Sequence, residues 1–418
     1  MEMKGILAKS ALLAMALLVS LGLQAQVYTG IGMLQRYGFE ELLGKRVGLV
    51  TNPSGVDRNL RSTIDILYDA PQVNLVALFG PEHGVRGDVY AGGHVASGKD
   101  PKTGLPVYSL YGDTRKPTPE MLKGIDVMVY DIQDVGTRSY TFISTLGLVM
   151  RACAEKDIEV VVLDRPNPLG GLKVEGPLVE PGFHSFVSEF SIPYVYGLTV
   201  GELANLINEE GLNCGVDGKS APLKCRLTVV PMRGWERSML YRDTGLPWIL
   251  PSPNIPSMES AIGYPSAGIA GEYGYLGIGV GYTIPFQVFS APWVDADALK
   301  AKLDSYDIPG TAFRTIHYKP ISGTNPSLQH GVQFFYTDYE AATITLTQFY
   351  VMQALQELYP EHNPYKTLKK TRMLDIVCGT DYARVTFGKR LKVEDIESWW
   401  MKDAEAFKEL SKQYYLYL

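Results

Sequence analysis

The sequence has 418 residues, 46% of them hydrophobic and 20% charged, with a formal net charge of −6. That length exceeds one ordinary domain and that composition supports a sizeable core, so two folded domains are expected, and a disordered or fibrous chain is excluded. Charges of both signs are spread along the chain with no basic block, which argues against nucleic acid or an anionic membrane surface as a partner.

Residues 1–25 read as a secretory signal peptide. Lys4 and Lys9 precede an apolar run from Ala11 to Leu23, and Gln24-Ala25-Gln26 offers a small-residue cleavage point near Ala25. The run is short for a membrane span, no Cys follows the cleavage point, and later apolar runs are short. A periplasmic or secreted protein without a stable membrane anchor is therefore expected. Of the four cysteines, Cys214 and Cys225 could close a short loop, while Cys153 and Cys378 read as buried small hydrophobes.

From Gly44 to about Pro166 apolar runs alternate with helical stretches. Strands are predicted over Lys45–Thr51, Val73–Phe79, Asp126–Tyr130 and Glu159–Leu163. Helices are predicted over Leu60–Tyr68, from Thr118-Pro119, and over Tyr140–Lys156. The strands are rich in Val and Leu throughout, the pattern of a parallel sheet buried on both faces, so an α/β fold with a Rossmann-like, mainly parallel sheet follows. Thr199-Val-Gly-Glu202 has the spacing of a capping box and opens a helix to about Glu210, which gives Glu202 a structural role. The Rossmann-like domain is assigned to residues 26–212 and a smaller α+β domain, closing the cleft, to 213–418. In the latter, Arg226–Val230 reads as a strand, Trp248–Pro265 as a polar loop, and Thr343–Leu358 and Val393–Tyr415 as helical.

The chemistry is expected where each strand ends. The first strand is followed by Asn52-Pro-Ser-Gly55, the second by Gly80-Pro-Glu-His-Gly-Val-Arg-Gly-Asp88, the third by Asp131-Ile-Gln-Asp-Val-Gly-Thr-Arg-Ser-Tyr140, and the fourth by Asp164-Arg-Pro-Asn-Pro-Leu-Gly-Gly171 with Glu175 beyond. In a parallel sheet these loops share one edge, where open α/β sheets bind ligands. Glu82, on a Pro- and Gly-shaped loop beside His83, suits general acid–base work; the bland alternative is a salt bridge to Arg86. Asp131 and Asp134 could position a substrate hydroxyl, cap the next helix or pair with Arg138. Asp164-Arg165 reads as partly structural. Two carboxylates from different loops of one cleft are the minimal equipment of a glycoside hydrolase. No HExxH, Walker A or GxSxG motif occurs, and Gly277-Ile-Gly-Val-Gly281 is not a dinucleotide fingerprint, so no cofactor is expected. His83, Asp131 and Asp134 lack a recognisable metal-ligand spacing, and no metal is expected.

These loops resemble those of the DUF1343 family. The matching stretches are Gly-Leu-Val-Thr-Asn-Pro-Ser-Gly (48–55), Gly-Pro-Glu-His-Gly-Val-Arg-Gly (80–87), Tyr-Asp-Ile-Gln-Asp-Val-Gly-Thr-Arg (130–138), Leu-Asp-Arg-Pro-Asn-Pro-Leu-Gly-Gly (163–171), Val-Glu-Gly-Pro (174–177) and Pro-Ser-Pro-Asn-Ile-Pro (251–256). The family contains the NamZ exo-β-N-acetylmuramidases, so the resemblance implies an exo-glycosidase releasing a terminal amino sugar, N-acetylmuramic acid, from peptidoglycan fragments. It implies Glu82, His83 and Glu175 as the catalytic set. Asn52, Arg86, Asp131, Gln133, Asp134, Arg138, Tyr140, Asn167, Asn254, Glu272 and Tyr275 would bind the glycan. One stretch departs from the family's pattern: Tyr275 stands where typical members carry Asn, and Val280 where they carry Arg. Loss of that Arg, with Tyr gained, implies a less acidic or differently substituted sugar resting on aromatic faces. The rival readings are a non-catalytic glycan-binding protein and a metal-dependent hydrolase.

Overall fold

The computed structural model describes residues 26–87, 98–211, 223–321, 327–367 and 371–418. The expected signal peptide, Asp88 and Cys214 lie outside the described residues, so the Cys214–Cys225 pairing does too. Cys225 itself is buried, with its Sγ 3.5 Å from Asn208 Oδ1.

Seven strands form the first sheet: β1 (Arg46–Thr51), β2 (Asn74–Gly80), β3 (Gly98–Lys99), β4 (Pro106–Ser109), β5 (Val127–Asp131), β6 (Glu159–Leu163) and β7 (Leu227–Val230), in the order β3-β4-β2-β1-β5-β6-β7. All neighbours run parallel except β3 against β4. Successive residues of a strand face opposite sides, and here both sides are covered. Val50, Phe79, Met128, Tyr130, Val160 and Val162 pack under helix α3 (Phe142–Ala154), which follows α1 (Gly30–Arg36) and α2 (Thr63–Asp69). Leu49, Leu75, Leu78, Val129 and Val161 pack against α1 and α2 on the other face. Burial on both sides explains the unbroken Val/Leu runs. Helix α4 (Val200–Glu210) carries the expected capping box, and Glu202 is further held by Arg237 at 2.7 Å.

The second lobe contains an antiparallel sheet in the order β8-β10-β9, formed by β8 (Val288–Ala291), β9 (Thr311–Tyr318) and β10 (Gln329–Tyr336). Against it pack helices α5 (Met258–Glu272), α6 (Ala296–Asp304) and α7 (Thr347–Leu358). Three expectations need correction. Residues from Thr118 form turns and no helix, because Gly124, at a φ of +81°, reverses the chain within two turns' length. The polar stretch 248–265 is helical from Met258, with Ser257 as its N-cap. Strand β7 lies beyond residue 212 and pairs with β6, so the first sheet continues past the expected boundary.

The chain's last residues return to the first lobe. Ala404 and Phe407 enter the core beneath α3, and the tail crosses the edge near β6 and β7. There the Tyr417 hydroxyl donates to Asp164, the Leu416 N–H donates to Glu202 Oε1 at 2.9 Å, and the Arg237 N–H donates to the Leu418 carbonyl at 2.9 Å.

Candidate active site

Strand order reverses direction at β1, whose neighbours are β2 and β5, and the loops after all three converge there. The β2 loop turns back sharply: Gly84 N–H donates to the Pro81 carbonyl at 3.0 Å, and His83 and Gly84 both have a φ of +76°. A left-handed conformation at a non-glycine residue costs on the order of 1 kcal/mol, so the fold holds His83 against its own preference. A Cβ on Gly87 would stand 2.5 Å from Pro53, so glycine there lets the β2 loop rest on the β1 loop.

This turn presents Glu82, half-buried, to two hydroxyls. Thr141, just ahead of α3, donates from Oγ1 to Glu82 Oε2 at 3.1 Å. Tyr111, after β4, hydrogen-bonds the same carboxylate; burial, reinforced by the charge of Glu82, pushes its hydroxyl up to about 12. Tyr111 therefore remains a protonated donor across neutral pH. Arg86, the suspected partner of Glu82, instead grips Asp100 through Nε at 2.9 Å and Nη2 at 3.0 Å.

The opposite wall comes from α5. The Tyr264 ring meets Tyr140 edge-on at 5.5 Å and Phe286 at 4.9 Å, and its hydroxyl accepts from Ser139 Oγ at 3.3 Å. Burial raises the Tyr264 hydroxyl above its ordinary range, and the charges of Glu272, Glu82 and Asp134 add to the effect. Glu272, the last residue of α5, is solvent-exposed and its side chain makes no hydrogen bond or ion pair among the described residues; partial desolvation raises its carboxyl above the ordinary glutamate range. Beyond it, Tyr275 stacks on Trp293 at 6.2 Å, and His362 covers Trp293 at 4.0 Å. Val280 is exposed. Asn254 is half-buried and makes no side-chain hydrogen bond among the described residues.

The other expected site residues hold the loops together. Asp131 is fully buried, bidentate to Arg165 at 2.6 and 2.9 Å, and accepts from Thr63 Oγ1. Asn52 spans to the Pro251 carbonyl at 3.1 Å and accepts from Ser54 N–H at 2.9 Å. Gln133 donates to the carbonyls of Asp134 and Pro166 at 2.8 and 2.7 Å. Asn167 closes an Asx turn to Leu169 N–H and reaches the Leu198 carbonyl, both at 2.9 Å. Asp134 accepts from Tyr196 and from Gly136 N–H, and burial raises its carboxyl to about 6. Arg138, also fully buried, faces no carboxylate. It donates to the carbonyls of Pro177 and Ile192 from one side and of Val377 and Cys378 from the other. Glu175 accepts from Ile344 N–H, Thr345 N–H and Thr345 Oγ1 at 3.1, 2.8 and 2.7 Å, and Lys173 lies 3.5 Å away. Through these bonds Asp131, Asn52, Asn167, Arg138 and Glu175 tie loops and lobes together.

Tyr111, Thr141 and Tyr264 escaped the sequence reading. Tyr111 follows β4, a four-residue strand too short to register as a strand. Tyr264 sat in a stretch rich in Ser, Pro and Gly that read as loop.

Glu82 at the carboxyl edge of a parallel sheet, with Glu272 contributed by the second lobe, is an arrangement that suits a hydrolase of the glycosidase type. Comparison with known proteins gives the same class. Residues 47–259 match the N-terminal model, and residues 262–417 the C-terminal model, of exo-β-N-acetylmuramidase NamZ. The peptidoglycan β-N-acetylmuramidase NamZ of Bacillus subtilis (strain 168) is 43% identical over 393 residues, covering 94% of this chain and 92% of that protein. Two crystal structures of DUF1343 family proteins from Bacteroides fragilis NCTC 9343 superpose with TM-scores of 0.88 and 0.73, at 53% and 30% identity. Each covers 94% of this chain and 99% of its own. The chain belongs to the NamZ (DUF1343) family and is a glycoside hydrolase.

Proposed function

We propose that the enzyme is an exported exo-glycosidase that releases a terminal β-linked N-acetylmuramic acid, or a close amino-sugar relative, from peptidoglycan fragments. The carrying observation is the placement of Glu82: a carboxylate on a strained, rigid turn at the carboxyl edge of the sheet, bonded to Tyr111 and Thr141. In this reading Glu82 exchanges a proton with the glycosidic oxygen as general acid/base, and Glu272 supplies the second carboxylate across the sugar. Positioning of this kind contributes roughly 10²–10⁴-fold in rate. The exposed Val280, standing where typical members of the family carry Arg, supports tolerance of substrates with a less acidic substituent. Export is supported by the Lys4/Lys9 and Ala11–Leu23 pattern and by the extracytoplasmic location of peptidoglycan.

The test is incubation with chromogenic amino-sugar glycosides and disaccharide muropeptides, with products read by mass spectrometry. Release of the terminal amino sugar, lost in Glu82→Gln, is expected. Binding without release, or full turnover by Glu82→Gln, would overturn the proposal.

A further inference from the structure

A second cleft, of about 660 Å³, opens between the lobes away from Glu82. Its walls come from the loops after β6 and β7 and from the 337–340 turn after β10. Strand β6 is three strands from β2, a displacement of roughly 15 Å at about 4.8 Å per strand, so this space is distinct from the acid–base site.

Its floor is built and its walls are charged. Lys173 donates to the Ala342 carbonyl at 2.7 Å, lies 3.5 Å from Glu175, and stands 4.8 Å over the Tyr339 ring. The Tyr339 hydroxyl donates to the Leu169 carbonyl at 3.1 Å. These contacts neutralise Lys173 and fix the ring. Arg237, also lining the cleft, is neutralised by Glu202. Beside Asp243, whose Oδ2 accepts from Leu240 N–H at 2.9 Å, the charged groups left facing the space are Arg242 on one wall and Asp338 and Glu340 on the other. None of the three makes an ion pair among the described residues, and all are solvent-exposed. Asp338 Oδ1 is fixed by the N–H groups of Glu340 and Ala341, both at 3.1 Å, which leaves Oδ2 for a ligand. Leu172, 60% exposed, adds an apolar shelf at the rim.

A guanidinium opposite two carboxylates, with an aromatic ring and a leucine between them, matches one ligand chemistry. Arg242 suits a carboxylate, Asp338 and Glu340 suit an amine, and Tyr339 with Leu172 suits the aliphatic chain joining them. We propose that this interlobe cleft binds the zwitterionic end of a short peptide, one bearing a free side-chain amine and a free carboxylate. The proposal goes beyond the glycosidase reading and does not require it.

Isothermal titration of the full-length protein with the tripeptide Ala-Glu-Lys, beside its Nε-acetyl form, tests it. Saturable binding of the free amine form is expected, with weakening of at least about threefold in both Arg242→Gln and Glu340→Gln and a comparable loss on acetylation. No binding at millimolar peptide, or binding indifferent to both variants and to acetylation, would overturn it. Turnover of a peptide-free chromogenic glycoside should be unchanged in both variants, so failure here is separable from failure of the proposed hydrolysis.

Discussion

Thr141 Oγ1 donates to Glu82 Oε2 at 3.1 Å, and this bond ties a loop of one strand to the helix that follows another. Helix α3 is buried along its length, so the donor cannot drift, and the turn around His83 leaves the acceptor little freedom. Thr141 is therefore a positioning residue. Thr141→Val should lower kcat about tenfold with little change in KM, whereas Thr141→Ser should keep most of the activity. Steady-state kinetics on a chromogenic glycoside would decide; a rise in KM alone would show that the bond serves binding instead.

Glu175 is predicted to matter for stability and not for the chemical step. Glu175→Gln removes a charged acceptor from three donors and leaves Lys173 without its counter-charge. A loss of about 2–3 kcal/mol is expected from such buried charge-assisted bonds. Measured below its lowered Tm, the variant should turn over within about threefold of the parent, a change smaller than removal of an acid–base group gives. A hundredfold fall in kcat at unchanged Tm would return Glu175 to the catalytic set.

Arg138 fastens residues 177 and 192 to residues 377 and 378 through their carbonyl groups, and its Nε donates to Ser188 Oγ at 3.3 Å. Arg138→Met strands those acceptors in the interior, and a cost of about 3 kcal/mol or more follows. Arg138→Lys should not restore it, since an ammonium cannot span the planar fork. Thermal and urea unfolding of both variants would check this.

The raised carboxyl of Asp134 has a definite sign in the pH dependence of stability. An unfolded aspartate releases its proton near pH 4, whereas the buried Asp134 holds its own to about 6. Between these values the native state binds more protons, so this group's contribution favours folding in acid and is lost as pH rises to about 6. Two units correspond to roughly 3 kcal/mol. Urea unfolding from pH 4.5 to 7.5 should show a flatter profile for Asp134→Asn than for the parent; parallel profiles would refute the assignment.

The central strands and the shared edge of their loops were legible because each strand is buried on both faces and so advertises itself as an apolar run. The loop motifs were legible too, but their roles were not. Asp131 and Arg138 look like ligand-binding residues in any one-dimensional reading. What distinguishes them is Arg165 for the one, thirty-four residues away, and the carbonyls of 377 and 378 for the other. Pairings of that range carry no local signature. Helix α5 was hidden for a different reason: its glycines and Pro265 have poor helix propensity, but glycine permits tight packing, as at Gly263, where a Cβ would stand 2.2 Å from the Phe286 carbonyl. Tertiary contact, not propensity, makes it a helix and brings Tyr264 and Glu272 to the cleft.

The tail that seals Asp164 and Glu202 sets an order of events during synthesis. The sheet's strands are all translated by Val230, and Thr199, Gly201 and Arg237 already supply donors to those two buried carboxylates, yet the last donor to each is residue 417 or 416. The first lobe emerging from a ribosome therefore lacks one donor to each group, and the cover over them, until residue 417 has been released. Nascent chains stalled midway should remain protease-sensitive around 164–202, and the two lobes should mature together.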